Sequence, residues 1–269
     1  MISQFETELR WFDYHLKGVQ NGLGSEDPVK LFYMGANQWR SEKDWPIPGT
    51  KYQELFLTGG GHANTLRGDG LLSFTKPGTS GKDQYLYDPN NPVETLGGNN
   101  CCGTPTVAGP RDQRPIEQRE DVLVYTSEIL KTQLTIAGNV HFRMYASSDG
   151  PDTDWMIKLT DVYPDGSSMP ISEGMLRAKF RAGLDKIKLL KPDEVYAYDI
   201  ELTGTANVFK PGHRIRVDIT SSNFPQFDRN PNTGEPLGSS SNVRIARQKI
   251  HHGGTKASAI ILPVVSSLE

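Results

Sequence analysis

Apolar residues near the N-terminus follow a helical period. Phe5, Leu9, Phe12 and Leu16 are separated by four, three and four positions, which places them on one face of an α-helix that Gly18 would end. No later segment shows a long 3.6-residue period of this strength. The pattern therefore predicts one helix of about four turns, followed by a different class of structure.

The rest of the chain is typical of β-structure. Apolar and polar residues alternate over 140–146, 196–202 and 214–219, as in sheets with one buried face. Pro164-Asp165-Gly166 separates two apolar runs and predicts a hairpin turn. Further predicted strands cover 29–34, 53–57, 71–75, 122–126, 157–162, 169–171, 174–181 and 258–265. We therefore predict an all-β domain, a β-sandwich or jelly roll of roughly ten strands, with an N-terminal helical extension.

Two stretches, 88–119 and 223–241, contain too much Gly, Pro, Asn and Asp for regular structure. Ordered loops of this length are usually functional or lie at an interface. We therefore expect function to be concentrated there.

Charge and cysteine content exclude several classes of protein. With 29 basic and 32 acidic residues, the net charge of -3 gives no basic surface for nucleic acid or anionic lipid. No apolar run approaches the roughly 18 residues of a spanning helix, and the first residues do not resemble a signal peptide. We expect no nucleic acid and no membrane as partner, and the compartment stays open. The two cysteines, Cys101 and Cys102, are adjacent and cannot cross-link distant parts of a fold. Leu268-Glu269 is expected to be a remnant of cloning.

No standard catalytic or cofactor motif is present. The chain lacks Gly-x-Ser-x-Gly, His-Glu-x-x-His, the phosphate-binding Gly-x4-Gly-Lys and an EF-hand loop. The six histidines have no spacing that would place two of them on one metal ion. We predict no catalytic residue, no resident metal and no cofactor.

Two acidic segments admit both a functional and a structural interpretation. Asp149, Asp152 and Asp154 could supply oxygen ligands to Ca²⁺, although aspartates that cap a turn are commoner. Asp228 and Arg229 could be catalytic, although an Asp–Arg pair that holds a long loop in place is commoner.

Two tryptophans, Trp39 and Trp45, suggest a second class of function. Exposed aromatic rings stack on sugars, so these residues favour a free-standing carbohydrate-binding module; packing in a core or an interface is the simpler interpretation. An autonomous enzyme that uses the domain's own Asp and His residues is a third hypothesis.

Several longer stretches point to a family. They are Arg10 to Gly18, Val29 to Arg40, Asp112-Gln113-Arg114-Pro115, Asp121 to Tyr125, Leu159 to Gly166, Pro211 to Ile215 and Ser221 to Asn230. Together they resemble the C-terminal part of the X-Pro dipeptidyl-peptidase, cocaine esterase and α-amino acid ester hydrolase family. The resemblance covers nearly the whole chain.

This resemblance implies a larger parent protein. The family joins a serine α/β-hydrolase domain and a helical cap to a C-terminal jelly roll similar to galactose-binding modules. Residues 1–28 would then be the last helix and linker of the hydrolase domain, and 29–267 the jelly roll. The family's catalytic triad precedes the segment that resembles Arg10 to Gly18, so no triad residue falls in this chain. The expected function is non-catalytic: to support the hydrolase domain and partly close its cleft for peptide, amide or ester substrates.

The resemblance also implies one contact with substrate. The corresponding loop in the family lines the acyl side of the pocket, which here implies Asn100, Cys101 and Cys102. The alternative is a buried cysteine pair that acts as two small hydrophobic residues. Without a hydrolase domain, the apolar stripe of the N-terminal helix is expected to dock on the sandwich or to form a homodimer.

Overall fold

The computed structural model describes residues 3–100, 107–236, 238–239 and 241–266. Within these ranges it contains two α-helices, Gln4–Lys17 (α1) and Arg114–Glu117 (α2), two short 3-10 helices, Leu23–Ser25 and Ala178–Phe180, and fifteen strands. The strands are Val29–Tyr33 (β1), Gln38–Glu42 (β2), Lys51–Thr58 (β3), Leu71–Ser73 (β4), Gly81–Tyr87 (β5), Leu123–Ser127 (β6), Leu134–Gly138 (β7), His141–Ser148 (β8), Asp154–Val162 (β9), Ser168–Arg177 (β10), Tyr196–Glu201 (β11), Thr205–Phe209 (β12), Arg214–Thr220 (β13), Ala246–His252 (β14) and Ala259–Val264 (β15). The all-β class is confirmed.

Thirteen of these strands form one connected sheet. Its main path runs β10-β9-β13-β6-β4-β3-β15-β8-β14-β5, with β11 paired to β8, and β12 joined through β7 to β15. Strands from both ends of this path bury side chains in one common core, among them Trp155 and Val217 from one end and Phe142 and Ile250 from the other. The sheet therefore folds over so that its two ends enclose the core, while β1 and β2 form a separate hairpin.

The predicted helix is confirmed, and its ends follow from local chemistry. The Ser3 hydroxyl accepts a hydrogen bond from the backbone N–H of Glu6, which caps the first turn. Gly18 ends the helix with a φ of 70°, a left-handed conformation that glycine adopts without strain. Neither this helix nor any other in the described ranges is long and apolar enough to cross a membrane.

The apolar stripe of α1 does not pack on the sheet. Phe5 is 73% exposed and Leu16 is 74% exposed, and no residue of the helix is buried. Polar contacts instead connect the helix to the segment that follows it, where Arg10 bonds to the Asn21 carbonyl and to Glu26. The expected docking of this stripe on the sandwich is therefore wrong, whereas pairing with a second copy stays a prediction.

The predicted hairpin is confirmed, but its second arm differs from expectation. Strands β9 and β10 pair antiparallel, and the Gly166 N–H closes the turn on the Tyr163 carbonyl at 2.9 Å. The two strands predicted at 169–171 and 174–181 are one strand, Ser168–Arg177. A shift in register between Pro170 and Ser172 interrupts the alternation of its side chains, which explains why its pattern looks like two strands.

Candidate functional site at the base of the 97–110 loop

The two long irregular segments singled out in the sequence meet at one edge of the sheet. Thr95 N–H donates to the Phe224 carbonyl at 2.7 Å, and Phe224 N–H donates to the Val93 carbonyl at 2.9 Å. The Thr95 hydroxyl also accepts from the Gln226 N–H. This isolated parallel bridge fixes the first long segment against the second just before Gly97.

A narrow stem closes the loop that follows. Gly98 and Gly109 exchange two backbone hydrogen bonds, at 2.9 and 3.0 Å. Gly97 has a φ of 69°, and a Cβ there would lie 2.4 Å from the Gly109 carbonyl oxygen. A Cβ on Gly98 would lie 2.9 Å from Glu173 Oε1. Gly97 therefore requires glycine because the backbone of Gly109 approaches too closely for a side chain, and Gly98 because its φ of 89° is one that other residues rarely adopt.

The side chain of Gln113 contacts both ends of this loop. Its Nε2 donates to the Leu96 carbonyl, before the stem, and to the Arg111 carbonyl, after it, at 2.8 Å each. Its Oε1 accepts from Lys158 Nζ at 3.0 Å. Gln113 is fully buried and Lys158 is 5% exposed, so these contacts are shielded from solvent.

A row of charged side chains crosses the sheet beneath the loop. Glu173 on β10 faces Lys158 on β9, which faces Asp218 on β13. Burial lowers the pKa of Lys158 and raises the pKa of Asp218 well above its usual value, and the nearby Glu117 carboxylate raises it further. Lys158 and Asp218 are both buried, so this part of the row is an internal polar layer rather than a solvent-accessible acid–base pair.

Glu173 is the member of this row that reaches a groove. Its carboxylate accepts from Gln226 Nε2 at 2.8 Å and from Asn223 Nδ2 at 3.3 Å. The groove, of about 330 Å³, runs beside the stem and has Phe32 and Ile171 in its walls. The stem, β10 and the hairpin β1–β2 thus meet around one concave surface, and the second long segment is tied to it through the hydrogen bonds to Glu173.

Of the three predicted pocket residues, only Asn100 lies within the described part of the chain. Its Nδ2 donates to the Gly97 carbonyl at 2.6 Å, so its amide turns back onto the loop's own stem. Cys101 and Cys102 lie outside the described residues. Gln113, Lys158 and Glu173, which organise the base of the loop, were not predicted. The one local signal was a lysine, Lys158, between the apolar residues Ile157 and Leu159 of a strand; Gln113 precedes α2 and lies on no strand.

The aspartates considered as Ca²⁺ ligands are engaged by cations and amides of the protein. Asp154 accepts two bonds of 2.8 Å from the Arg177 guanidinium and one from Asn230. Asp152 accepts from Asn230 and from the backbone of Lys179, whose ammonium lies 3.5 Å away. In the described part of the chain, no three His, Cys, Asp or Glu residues form a group that could hold a metal ion.

Asp149 is separate from this buried network. Its carboxylate accepts from the backbone N–H of Arg247 and lies 3.5 Å from the Arg244 guanidinium, at the surface. The three aspartates therefore connect strands and loops rather than cap one turn.

The predicted Asp228–Arg229 pair does not form, within the ranges the structure describes. Arg229 donates instead to the Pro89 carbonyl, and the Asp228 carbonyl accepts from Arg177. The bidentate pair that holds this loop is Arg177–Asp154. It was not predicted because its two residues lie on different strands.

The two tryptophans are on the surface. Trp39 is 52% exposed and contacts the ring of Phe32 at 5.4 Å between centroids, while Trp45 is 40% exposed. Packing in the core is therefore excluded for both. Trp39 and Phe32 form an apolar surface on the hairpin β1–β2, which we call the aromatic patch.

Two histidines pair with buried carboxylates, as an autonomous enzyme would require. His213 Nδ1 lies 2.9 Å from Asp161, and His252 Nε2 lies 3.0 Å from Asp83, which also accepts from the Tyr125 hydroxyl. In the described ranges no serine, threonine or cysteine side chain bonds to either imidazole. Within those ranges, neither His–Asp pair has beside it the hydroxyl nucleophile that a serine hydrolase uses.

Comparison with known proteins gives consistent relatives. The chain is 42% identical over 257 residues to the cocaine esterase of Rhodococcus sp., covering 95% of this chain and 45% of the relative. It is 31% identical over 277 residues to a putative serine esterase of Mycobacterium bovis, covering 96% of this chain and 40% of the relative. The chain thus spans less than half the length of these relatives.

Solved structures resemble it over the same extent. An aminopeptidase from a marine sediment archaeon, Thaumarchaeota archaeon, superposes with a TM-score of 0.82 at 30% identity, over 97% of this chain and 44% of that one. An α-amino acid ester hydrolase superposes with a TM-score of 0.80 at 29% identity, over 95% of this chain and 44% of that one. Residues 21–261 match the family described as the X-Pro dipeptidyl-peptidase C-terminal non-catalytic domain. By this match and these relatives, the chain belongs to the X-Pro dipeptidyl-peptidase C-terminal non-catalytic domain family.

Proposed function

We propose that this chain is the C-terminal jelly roll, similar to galactose-binding modules, of a serine hydrolase that cleaves peptide, amide or ester bonds. Its role is to support the hydrolase domain and to close part of the substrate cleft. Family membership supports the proposal, as do relatives named as esterases and the fact that this chain matches less than half of each. In the described ranges no hydroxyl or thiol side chain bonds to either paired imidazole, and we therefore assign the chemistry to the parent's upstream domain.

The observation that carries the proposal is the uncovered apolar surface at the N-terminal end of the chain. The stripe of α1 exposes Phe5, Leu9, Phe12 and Leu16, and the aromatic patch lies on the elements that follow. Apolar surface of this extent marks an interaction site. We assign it to the hydrolase domain, because the resemblance places residues 1–28 at the end of that domain.

The constrained loop base supports the second half of the role. The glycine stem and the buried Gln113 hold the loop at both ends. The positions of its first and last residues relative to the sheet are therefore fixed. In the proposed parent this loop presents Asn100, Cys101 and Cys102 to the acyl side of the cleft. The domain then contributes to substrate choice without contributing to bond cleavage.

A chimeric enzyme tests the proposal. The 257-residue matching segment of the Rhodococcus cocaine esterase is replaced by this chain, and labelling by a fluorophosphonate probe and hydrolysis of an activated ester are measured. We expect the chimera to be labelled and active and this chain alone to be unlabelled. Labelling of the isolated chain would contradict the proposal, since it would reveal a serine nucleophile here.

A matched pair of substitutions tests the assigned surface. Leu9→Asp in the stripe of α1 is expected to destabilise the chimera by about 2 kcal/mol or more, because it places a charge in a buried contact. Leu184→Asp is the control, since Leu184 is 85% exposed and lies outside the assigned surface. Equal thermal stability of the two variants would contradict docking through α1.

A further inference from the structure

Gln113 occupies a position that no motif assigns to function. It follows the loop by only a few residues, yet its side chain reaches back to a carbonyl on each side of the stem. We propose that Gln113 is the positioning residue that holds the 98–109 stem closed and so fixes the direction in which the loop leaves the sheet. The role of Gln113 in the stem rests on contacts within this chain. Its consequence for substrate choice rests on the proposed function, which places the loop at the cleft.

Lys158 determines which way the amide of Gln113 faces. An ammonium group donates hydrogen bonds and accepts none, so the amide oxygen must face Lys158. Both amide N–H groups are then directed at the Leu96 and Arg111 carbonyls. Because Gln113 and Lys158 are buried, little water is available to exchange for these contacts. The lysine thus keeps the amide in the one orientation that closes the stem.

Among the residues that the structure describes, few other bonds hold the stem. A single pair of backbone hydrogen bonds joins Gly98 and Gly109, and a two-bond ladder between glycines is weak because glycine loses much conformational freedom on ordering. The bond from Gln113 to the Leu96 carbonyl adds a third hydrogen bond across the stem, and the bond to the Arg111 carbonyl holds the Gln113 side chain against its own side. Removing its donors should therefore open the stem without unfolding the sheet.

The variant Gln113→Glu removes both donors of the amide. Glutamate has the same length, keeps an oxygen on Lys158 as an ion pair, and turns its second oxygen toward the two carbonyl oxygens, which it repels instead of binding. We expect amide hydrogen exchange at Gly98 and Gly109, followed by NMR, to accelerate by roughly tenfold, because the one Gln113 hydrogen bond that crosses the stem is lost. Amides of the β9–β13 ladder should keep their exchange rates. Gln118→Glu is the matched control, because it makes the same change of charge at an exposed side chain.

Two results would overturn the inference. One is unchanged exchange at Gly98 and Gly109 in a folded Gln113→Glu protein. The other is an equal acceleration across the whole sheet, which would show a general stabilising role. If the variant does not fold, the unsubstituted chain still gives an answer. The side-chain N–H₂ of Gln113 and the two glycine amides should then exchange at similar rates, and glycine amides that exchange far faster than a protected Gln113 amide would refute the proposal.

A second readout keeps this inference apart from the proposed function. In the chimera, Gln113→Glu should change KM among esters with small and large acyl groups while the rate of fluorophosphonate labelling with a small probe stays within about twofold, since the nucleophile is untouched. Faster exchange at the stem without any change in acyl preference would confirm the role of Gln113 and contradict the loop's place in the cleft. Unchanged exchange at the stem, with a chimera whose acyl preference does change, would contradict the role of Gln113 and support the loop's place in the cleft.

Discussion

Replacing Arg177 by methionine should destabilise the domain strongly, because it leaves the Asp154 carboxylate buried without its cation. Asp154 is fully buried and takes two of its hydrogen bonds from Arg177, with Asn230 as the other partner. Breaking a buried ion pair by removing one partner typically costs about 3–5 kcal/mol. For a domain of this size, that loss lowers Tm by about 6–20 °C.

The stability lost in the Arg177→Met variant should depend on pH, and the direction of that dependence identifies the Asp154 carboxylate as its cause. Burial raises the pKa of Asp154 and the Arg177 guanidinium opposes the rise, so the Arg177→Met variant should have a higher pKa at Asp154 than the parent chain. Its folded state then binds more protons than its unfolded state between the two pKa values, so the stability of the variant falls as pH rises. The difference in stability between the two proteins should therefore be larger at pH 8 than at pH 5.

Urea unfolding followed by tryptophan fluorescence measures this effect, since Trp155 is fully buried next to Asp154 in sequence. The double variant Arg177→Met/Asp154→Leu should recover most of the lost stability, because no buried charge remains. Arg244→Met is the control, since the Arg244–Asp149 pair is at the surface and should be worth less than about 1 kcal/mol. A loss below about 1 kcal/mol for Arg177→Met, or the same loss at both pH values, would refute the reasoning.

Two further predictions concern titration and thiol chemistry. Burial, with the nearby Lys256, Lys82 and Lys249, lowers the pKa of His251 to about 4, so folding stability should fall as pH decreases from about 6.5 to 4. His251→Gln should weaken that dependence in urea titrations at pH 7 and 4.5, and an unchanged slope would contradict it. If the loop faces an open cleft, Cys101 and Cys102 should react with a thiol reagent in the native chain at nearly the rate of free thiols. Protection of both until denaturation would favour a buried cysteine pair.

The sequence predicted those elements whose pattern is decided locally. The helix Gln4–Lys17 has a regular apolar spacing with Ser3 and Gly18 at its ends, and the β9–β10 hairpin has a turn that Pro164-Asp165-Gly166 favours. Both depend on neighbours in sequence. Five strands were missed, and they share polar residues at inward positions or a short length: Gln38–Glu42, Gly81–Tyr87, Leu134–Gly138, Thr205–Phe209 and Ala246–His252.

Strands β5 and β14 show why the pattern failed there. Asp83 on β5 and His252 on β14 point into the interior, where their side chains bond at 3.0 Å. Each looks like a surface residue when its own segment is considered alone. Only the pairing of the two strands provides the partner that makes burial of a charge tolerable, and that pairing joins positions far apart in sequence.

The same limit applied to the candidate site. Gln113 is 17 residues from Leu96 and 2 from Arg111 in sequence. It is 45 residues from Lys158, the residue in the middle of β9 that orients its amide. Glu173, Lys158 and Asp218 form a row only when β10, β9 and β13 lie side by side. Periodicity within one strand can show that a charged side chain lies on the face opposite the apolar core. It cannot show which other segment of the chain covers that face.

The glycine stem at Gly98 and Gly109 makes the loop a replaceable module. Closing a loop costs entropy that grows only with the logarithm of its length, so doubling the number of residues between the two glycines costs only about 0.6 kcal/mol. As long as the stem and Gln113 are kept, insertions and exchanges within the loop leave the sheet's own hydrogen bonds intact. A protein built in this way can diversify what it presents at one edge at little cost to folding, and loop grafting between relatives should succeed at these two glycines before it succeeds elsewhere in the domain.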